Sequence, residues 1–82
     1  MEKRIGTITI LVTDRSVTPQ INALLSQHAE VIAARQGLPF RERLVAVISL
    51  IVEGNMDQIN LLSGKLGRLD GVEVKTVVAK TT

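Results

Sequence analysis

Leu44-Val45-Ala46-Val47-Ile48-Ser49-Leu50-Ile51-Val52 is apolar at every position except Ser49. Both faces of such a strand should be covered, which places it in the middle of a sheet. Immediately upstream, Glu30 to Arg35 is a further strand candidate. Gln36-Gly37-Leu38-Pro39 supplies the breakers of a connection running toward Arg43, so the two strands are expected to form a hairpin. Earlier still, Ile5 to Val12 alternates, with Ile8, Ile10 and Val12 on one face and Thr7, Thr9 and Leu11 on the other, the period of a strand.

Between the first and second strands, Thr18-Pro19 reads as an N-cap followed by proline at the first helical position. Ile21, Leu24, Leu25 and His28 then form one helical stripe. On the far side of the central strand, Asn55 with Gln58 three places on is a variant capping box. It opens a second helix with the stripe Ile59, Leu62, Leu66 and Leu69, ending at Gly67 or shortly after. Asp70-Gly71 makes a turn, and Val72 to Val78 alternates as a fourth strand.

The order β-α-β-β-α-β predicts an α+β, ferredoxin-like sandwich: a four-stranded antiparallel sheet in the order 4-1-3-2 with two helices on one face. Right-handed crossovers are read as setting strands one and three side by side and parallel, with two and four outside. Glu30, Arg35, Glu73, Lys75 and Lys80 then put charge on the edges, where it discourages stray pairing. Two glycines inside the second helix, Gly64 and Gly67, call for compensation. Close helix packing, a C-terminal cap at Gly67 or a subunit contact would each supply it.

Eighty-two residues suffice for one domain, expected over 1–82, because so short a chain hides only about 60–65% of its unfolded surface. Phe40 is the sole aromatic, so the core must be built from Ile, Leu and Val. No cysteine is present, which excludes a disulfide framework, a thiolate ligand or a thiol nucleophile and makes the cytoplasm the default location. Met1-Glu2-Lys3-Arg4 leads straight into a strand without the apolar stretch of a signal peptide. No apolar run approaches the ~20 residues needed to span a bilayer, so no membrane association is expected. Ten Lys+Arg against eight Asp+Glu are scattered, and the formal charge of +2 says little about partners.

Residue types narrow the chemistry, since this topology hosts many functions. Electron-transfer and copper-handling modules of this shape need thiolates, and RNA-recognition modules need aromatic residues on the central strands; both are missing here. His28 continues an apolar stripe and is read as structural; with no His/Cys cluster, neither a metal site nor a cofactor is expected. Asp14-Arg15-Ser16 lacks a positioned base, so it reads as a polar capping turn and not a catalytic group. The chain is therefore expected not to be an enzyme.

An effector-binding rim is read from the expected placement of the loops. Thr13, Asp14, Arg15 and Ser16 after strand one, with Glu53, Gly54 and Asn55 after strand three, would stand side by side at two helix N-termini and suit an anionic or zwitterionic molecule. Loops without a ligand account for these residues equally well. The central strand also carries Val45, Val47 and Ile51 on one face and Leu44, Ala46, Ile48, Leu50 and Val52 on the other, and two helices can cover only one of them. That surplus predicts a homo-oligomer, a dimer or tetramer.

The segment Leu61-Leu62-Ser63-Gly64-Lys65-Leu66-Gly67-Arg68-Leu69-Asp70-Gly71-Val72-Glu73-Val74-Lys75-Thr76 closely resembles the end of the regulators of the iron-only hydrogenase system. The opening Met1-Glu2-Lys3-Arg4 followed by a strand and Asp14-Arg15 does so too, and Arg35-Gln36-Gly37-Leu38-Pro39 looks like that family's middle hairpin. The family is similar to ACT domains and to the ligand-sensing half of nickel-responsive regulators. The resemblance thus implies regulation, including transcription regulation, through oligomerisation and effector binding. Asp14-Arg15 matches the ACT loop, but Ser16-Val17 stand where that loop continues with Pro-Gly. The nickel regulators use several His and a Cys, which this chain lacks, and it has no ribbon-helix-helix arm to support direct nucleic-acid binding. The leading expectation is a homo-oligomeric regulatory module answering a small-molecule effector or a protein partner. The rivals are a ligand-free assembly or protein-interaction domain and an acylphosphatase-shaped hydrolase, for which Arg15 is present but the Gly-rich loop is not.

Overall fold

A computed structural model describes residues 2–80; of the domain expected over 1–82, residues 1, 81 and 82 lie outside the described residues. The elements are β1 (Arg4–Val12), α1 (Thr18–Gln27), β2 (Ile32–Phe40), β3 (Val45–Gly54), α2 (Met56–Gly67) and β4 (Val72–Val78). The strands form one sheet in the order β2-β3-β1-β4, the predicted order read from the other side. Both helices pack on one face. Ile8, Ile10 and Val12 of β1, Ile48, Leu50 and Val52 of β3, Ile21 and Leu25 of α1, and Ile59, Leu62 and Leu66 of α2 make the core.

Every neighbouring pair in the sheet is antiparallel, including β1 with β3, where Arg4 faces Gly54 and Val12 faces Ala46. The expectation that β1 and β3 run parallel is corrected. The crossover through α1 makes β2 parallel to β1, and the hairpin then sends β3 back between them, so β3 opposes both. It follows that α1 and α2 enter from opposite ends of the sheet and run in opposite directions.

The hairpin also differs from expectation. Gln36-Gly37-Leu38-Pro39 lies inside β2, paired with Val47, Ile48 and Ser49 and, at Pro39, with Ala46. Proline is tolerated there because β2 is an edge strand with one side free of the ladder. The turn is instead Arg41–Arg43 closed by Leu44, which takes the left-handed conformation (φ 56°) and so belongs to the turn and not to β3. Glu30 falls in a short helical turn, Ala29–Val31, ahead of β2, and Lys80 follows β4; of the five edge charges, Arg35, Glu73 and Lys75 lie on edge strands. A bulge between Ile32 and Ala34 resets β2, so that Ala34, Gln36, Leu38 and Phe40 all point away from the helices.

At the helix termini, Asn55 and Gln58 form the full capping box: the Gln58 amide donates to Asn55 Oδ1 (2.8 Å) and the Asn55 amide to Gln58 Oε1 (2.9 Å). The other helix departs from expectation. Thr18 is already helical, Val17 holds the N-cap position without a side-chain bond, and the capping side chain is Asp14, which closes the short turn Arg15–Val17. Gly64 and Gly67 have open space where a methyl group would stand, so close packing explains neither. Gly67 is not in the left-handed cap conformation.

Candidate functional site

The loop after β1 is tied down by a single carbonyl. Gly71 oxygen accepts from the Thr13 amide (2.8 Å), the Asp14 amide (3.2 Å) and the Thr13 hydroxyl (3.0 Å). Asp14 Oδ1 accepts from the Ser16 hydroxyl (2.7 Å) and the Ser16 amide (3.0 Å). Those two bonds, the hydroxyl first, hold the Asp14 carboxyl below its ordinary value. Thr13 to Ser16 are exposed, and the Thr13 and Ser16 hydroxyls donate to the chain's own acceptors.

Glu53, Gly54 and Asn55 sit at the other end of the sheet. In the β1–β3 register they are eight residues from Val12, about 27 Å at ~3.4 Å per residue. The seven residues read from the sequence as one rim are therefore two separate corners, because the antiparallel pairing sends the β1 and β3 exits in opposite directions. At the second corner Gly54 is buried, and the Asn55 amide and Oδ1 are engaged in the capping box. A shallow hollow of about 300 Å³ opens beside it, lined by Glu2, Arg4, Asn55, Met56 and Asp57.

His28 ends α1, is 8% exposed, and has Nε2 3.4 Å from Lys65 Nζ on α2, which ties the two helices together. Among the described residues no three His, Cys, Asp or Glu side chains gather as metal ligands. None of the described helices is long and apolar enough to cross a membrane.

The sheet face opposite the helices has no element of the described residues packed over it. Across it Leu38, Val47, Leu11 and Glu73 stand abreast on β2, β3, β1 and β4, followed by Gln36, Ser49, Thr9 and Lys75, and then by Ala34, Ile51, Thr7 and Val77. Beyond these rows lie Phe40 beside Val45 at one end and Ile5 beside Glu53 at the other. Val77 is 67% exposed, Ile5 58%, Leu38 55% and Ile51 48%. Of the two apolar faces read for the central strand, the one with Val45, Val47 and Ile51 is the one left bare. Leu38 and Phe40 join them; the period-two run Ala34, Gln36, Leu38, Phe40 is the sequence signal for this, masked by the breakers Gly37 and Pro39.

Residues 4–76 match the model of the TM1266-like family, described as "Iron-only hydrogenase system regulator, putative". The chain belongs to that family. Among solved structures, the hydrogenase-system regulator fold seen here superposes on the uncharacterized protein TM1266 from Thermotoga maritima with a TM-score of 0.91. The identity is 44%, over 96% of this chain and 100% of that one. The ACT domain from the GTP pyrophosphokinase of Chlorobium tepidum matches with a TM-score of 0.77 at 22% identity, over 93% of this chain and 100% of that one. The C-terminal domain of the MgtC protein from Mycobacterium tuberculosis gives 0.70 at 11% identity, over 93% and 87%. The last two likenesses are of fold alone, and the architecture is ACT-like. No curated protein matches the sequence significantly.

Proposed function

We propose that this member of the hydrogenase-system regulator family is a non-enzymatic, cytoplasmic regulatory module that works as a homo-oligomer. The observation that carries the reading is the bare sheet face: Leu11, Val45, Val47, Ile51 and Val77 stand on it with no helix above them. Apolar patches beyond a few hundred Å² are seldom left in water, and a second copy of the same face is the simplest cover. Static light scattering at micromolar concentration tests it: a dimer or tetramer is expected, and a monomer at every concentration sinks the proposal.

Effector binding is the second part of the reading, and family membership supports it. A ligand-free assembly domain is the rival, favoured by the bonding at both corners, where Asp14, Ser16, Asn55 and Gln58 satisfy one another. A ligand specific to the native state must raise the melting temperature. Thermal shift against amino acids, nucleotides and divalent metals therefore decides between them: a saturable rise supports the effector, and no rise with any of them supports the assembly domain.

A further inference from the structure

The two edges of the sheet are guarded unequally. β4 carries Glu73 and Lys75, whereas Arg35 is the one charged side chain on β2, and α1 beside it has none. Charges keep stray strands off an exposed edge, and they are depleted in the cores of protein interfaces. β2 is exposed from Ala33 to Phe40. Pro39 has no amide to donate, and on an edge strand it belongs where the backbone turns away from the ladder. By alternation the amides and carbonyls of Arg35 and Gly37 are turned outward with it, unpaired within the sheet.

Along this edge, on the helix side, a hollow of about 230 Å³ opens between α1 and β2, lined by Leu25, Ser26, Ala29, Ile32 and Arg35. Leu25 is buried and Ile32 half-buried, so the floor is apolar. Glu30, in the turn between the two elements, is not part of the lining. Arg35 donates to Asn22 Oδ1 on α1 (3.3 Å), and among the described residues no carboxylate pairs with it. Next along the same side, a methyl group at Gly37 would meet nothing within 4 Å, so the space beside Arg35 is open.

We infer that this edge is a docking groove for an extended segment of another protein, which joins the sheet as a further strand beside β2. Its backbone bonds the outward amides and carbonyls of Arg35 and Gly37 and the carbonyl of Pro39. Its side chains alternate, so those turned toward α1 stand two places apart. One of them is apolar and sits in the hollow on Leu25 and Ile32. The next is acidic and takes the Arg35 guanidinium, since a carboxylate is a stronger acceptor than the Asn22 amide oxygen. A second copy of this chain does not carry that pattern. β2 holds no acidic residue, and Glu73 of β4 points to the bare face and not to the helix side. The groove is separate from the bare sheet face, and the inference does not rest on the oligomeric reading.

Phage-displayed random peptides of 9 residues, the length of β2, panned against the native chain supply the probe. The expected winners carry an apolar and an acidic residue two places apart, and as synthetic peptides they slow hydrogen exchange at the Arg35 and Gly37 amides. Arg35→Gln should weaken their binding by roughly tenfold or more, the worth of a hydrogen bond to a charged group. Ser26→Leu, which fills the hollow from an exposed position, should weaken it as well, and circular dichroism checks that both variants fold. No enriched sequence, or peptides that both variants bind as tightly as the native chain does, overturns the groove. Protection of the Arg35 and Gly37 amides that grows with protein concentration in the absence of peptide gives the edge to a second copy and overturns the foreign partner. Light scattering decides the oligomeric reading separately.

Discussion

Gly71 is where the loop after β1 meets the turn before β4, and two constraints coincide on it. Its φ of 79° is a conformation that L side chains rarely adopt, and a methyl group there would overlap Asp14 Cβ. Gly71→Ala is expected to cost about 2–3 kcal/mol, the left-handed penalty with overpacking added. For a domain this size that is a fall of roughly 10–20 °C in melting temperature, measurable by circular dichroism. Asp14 makes a separate, pH-dependent contribution. Its carboxyl is held below 3.8 in the folded chain by the Ser16 hydroxyl and then by the Ser16 amide. The stability it adds is therefore complete above that value and is lost as the pH falls through the lowered folded value. Melting curves of the native chain and Asp14→Asn should thus differ at neutral pH and converge in acid below pH 3.8; a gap that widened on acidification would contradict the assignment.

At the scale of elements, the two ends of α2 make opposite predictions. Asn55→Ala removes the acceptor of the Gln58 amide while leaving its own backbone amide bonded to Gln58, and should cost about 1 kcal/mol by urea denaturation. Gly64→Ala replaces a helical glycine beside which a methyl group meets nothing, so it should add about 1 kcal/mol. A loss there would mean that Gly64 is pressed against another molecule. These elements were legible in the sequence because their signals are local: alternation in β1 and β4, the Asn55–Gln58 pair, and the stripe Ile59, Leu62, Leu66, Leu69. The hairpin was less so. Pro39 and Gly37 look like breakers, and only the edge position of β2, a property of the whole sheet, makes them tolerable in a strand. Leu44 gives no turn signal at all, since leucine rarely adopts its left-handed conformation. The candidate rim failed for a related reason. Thr13–Ser16 and Glu53–Asn55 were correctly placed at helix N-termini, but their distance apart depends on strand direction, which no residue type announces.

For the whole molecule, the proposed association would make stability a function of chain concentration. If copies associate through the bare sheet face, the melting temperature should rise with protein concentration, since association draws the folded state by mass action. Val47→Lys, placed at the centre of the face, should abolish that rise while leaving the helix and strand content of the circular dichroism spectrum unchanged. A native melting temperature independent of concentration over two decades would count against association. The opposed helices bear on ligands as well. The partial positive charge at the start of α1 lies at the same end of the sheet as the partial negative charge closing α2, and the reverse holds at the other end. Each tip of the domain is thus close to electrically balanced by its own backbone, and an anion arriving at either would find little long-range pull until side chains, its own or a neighbour's, tipped that balance.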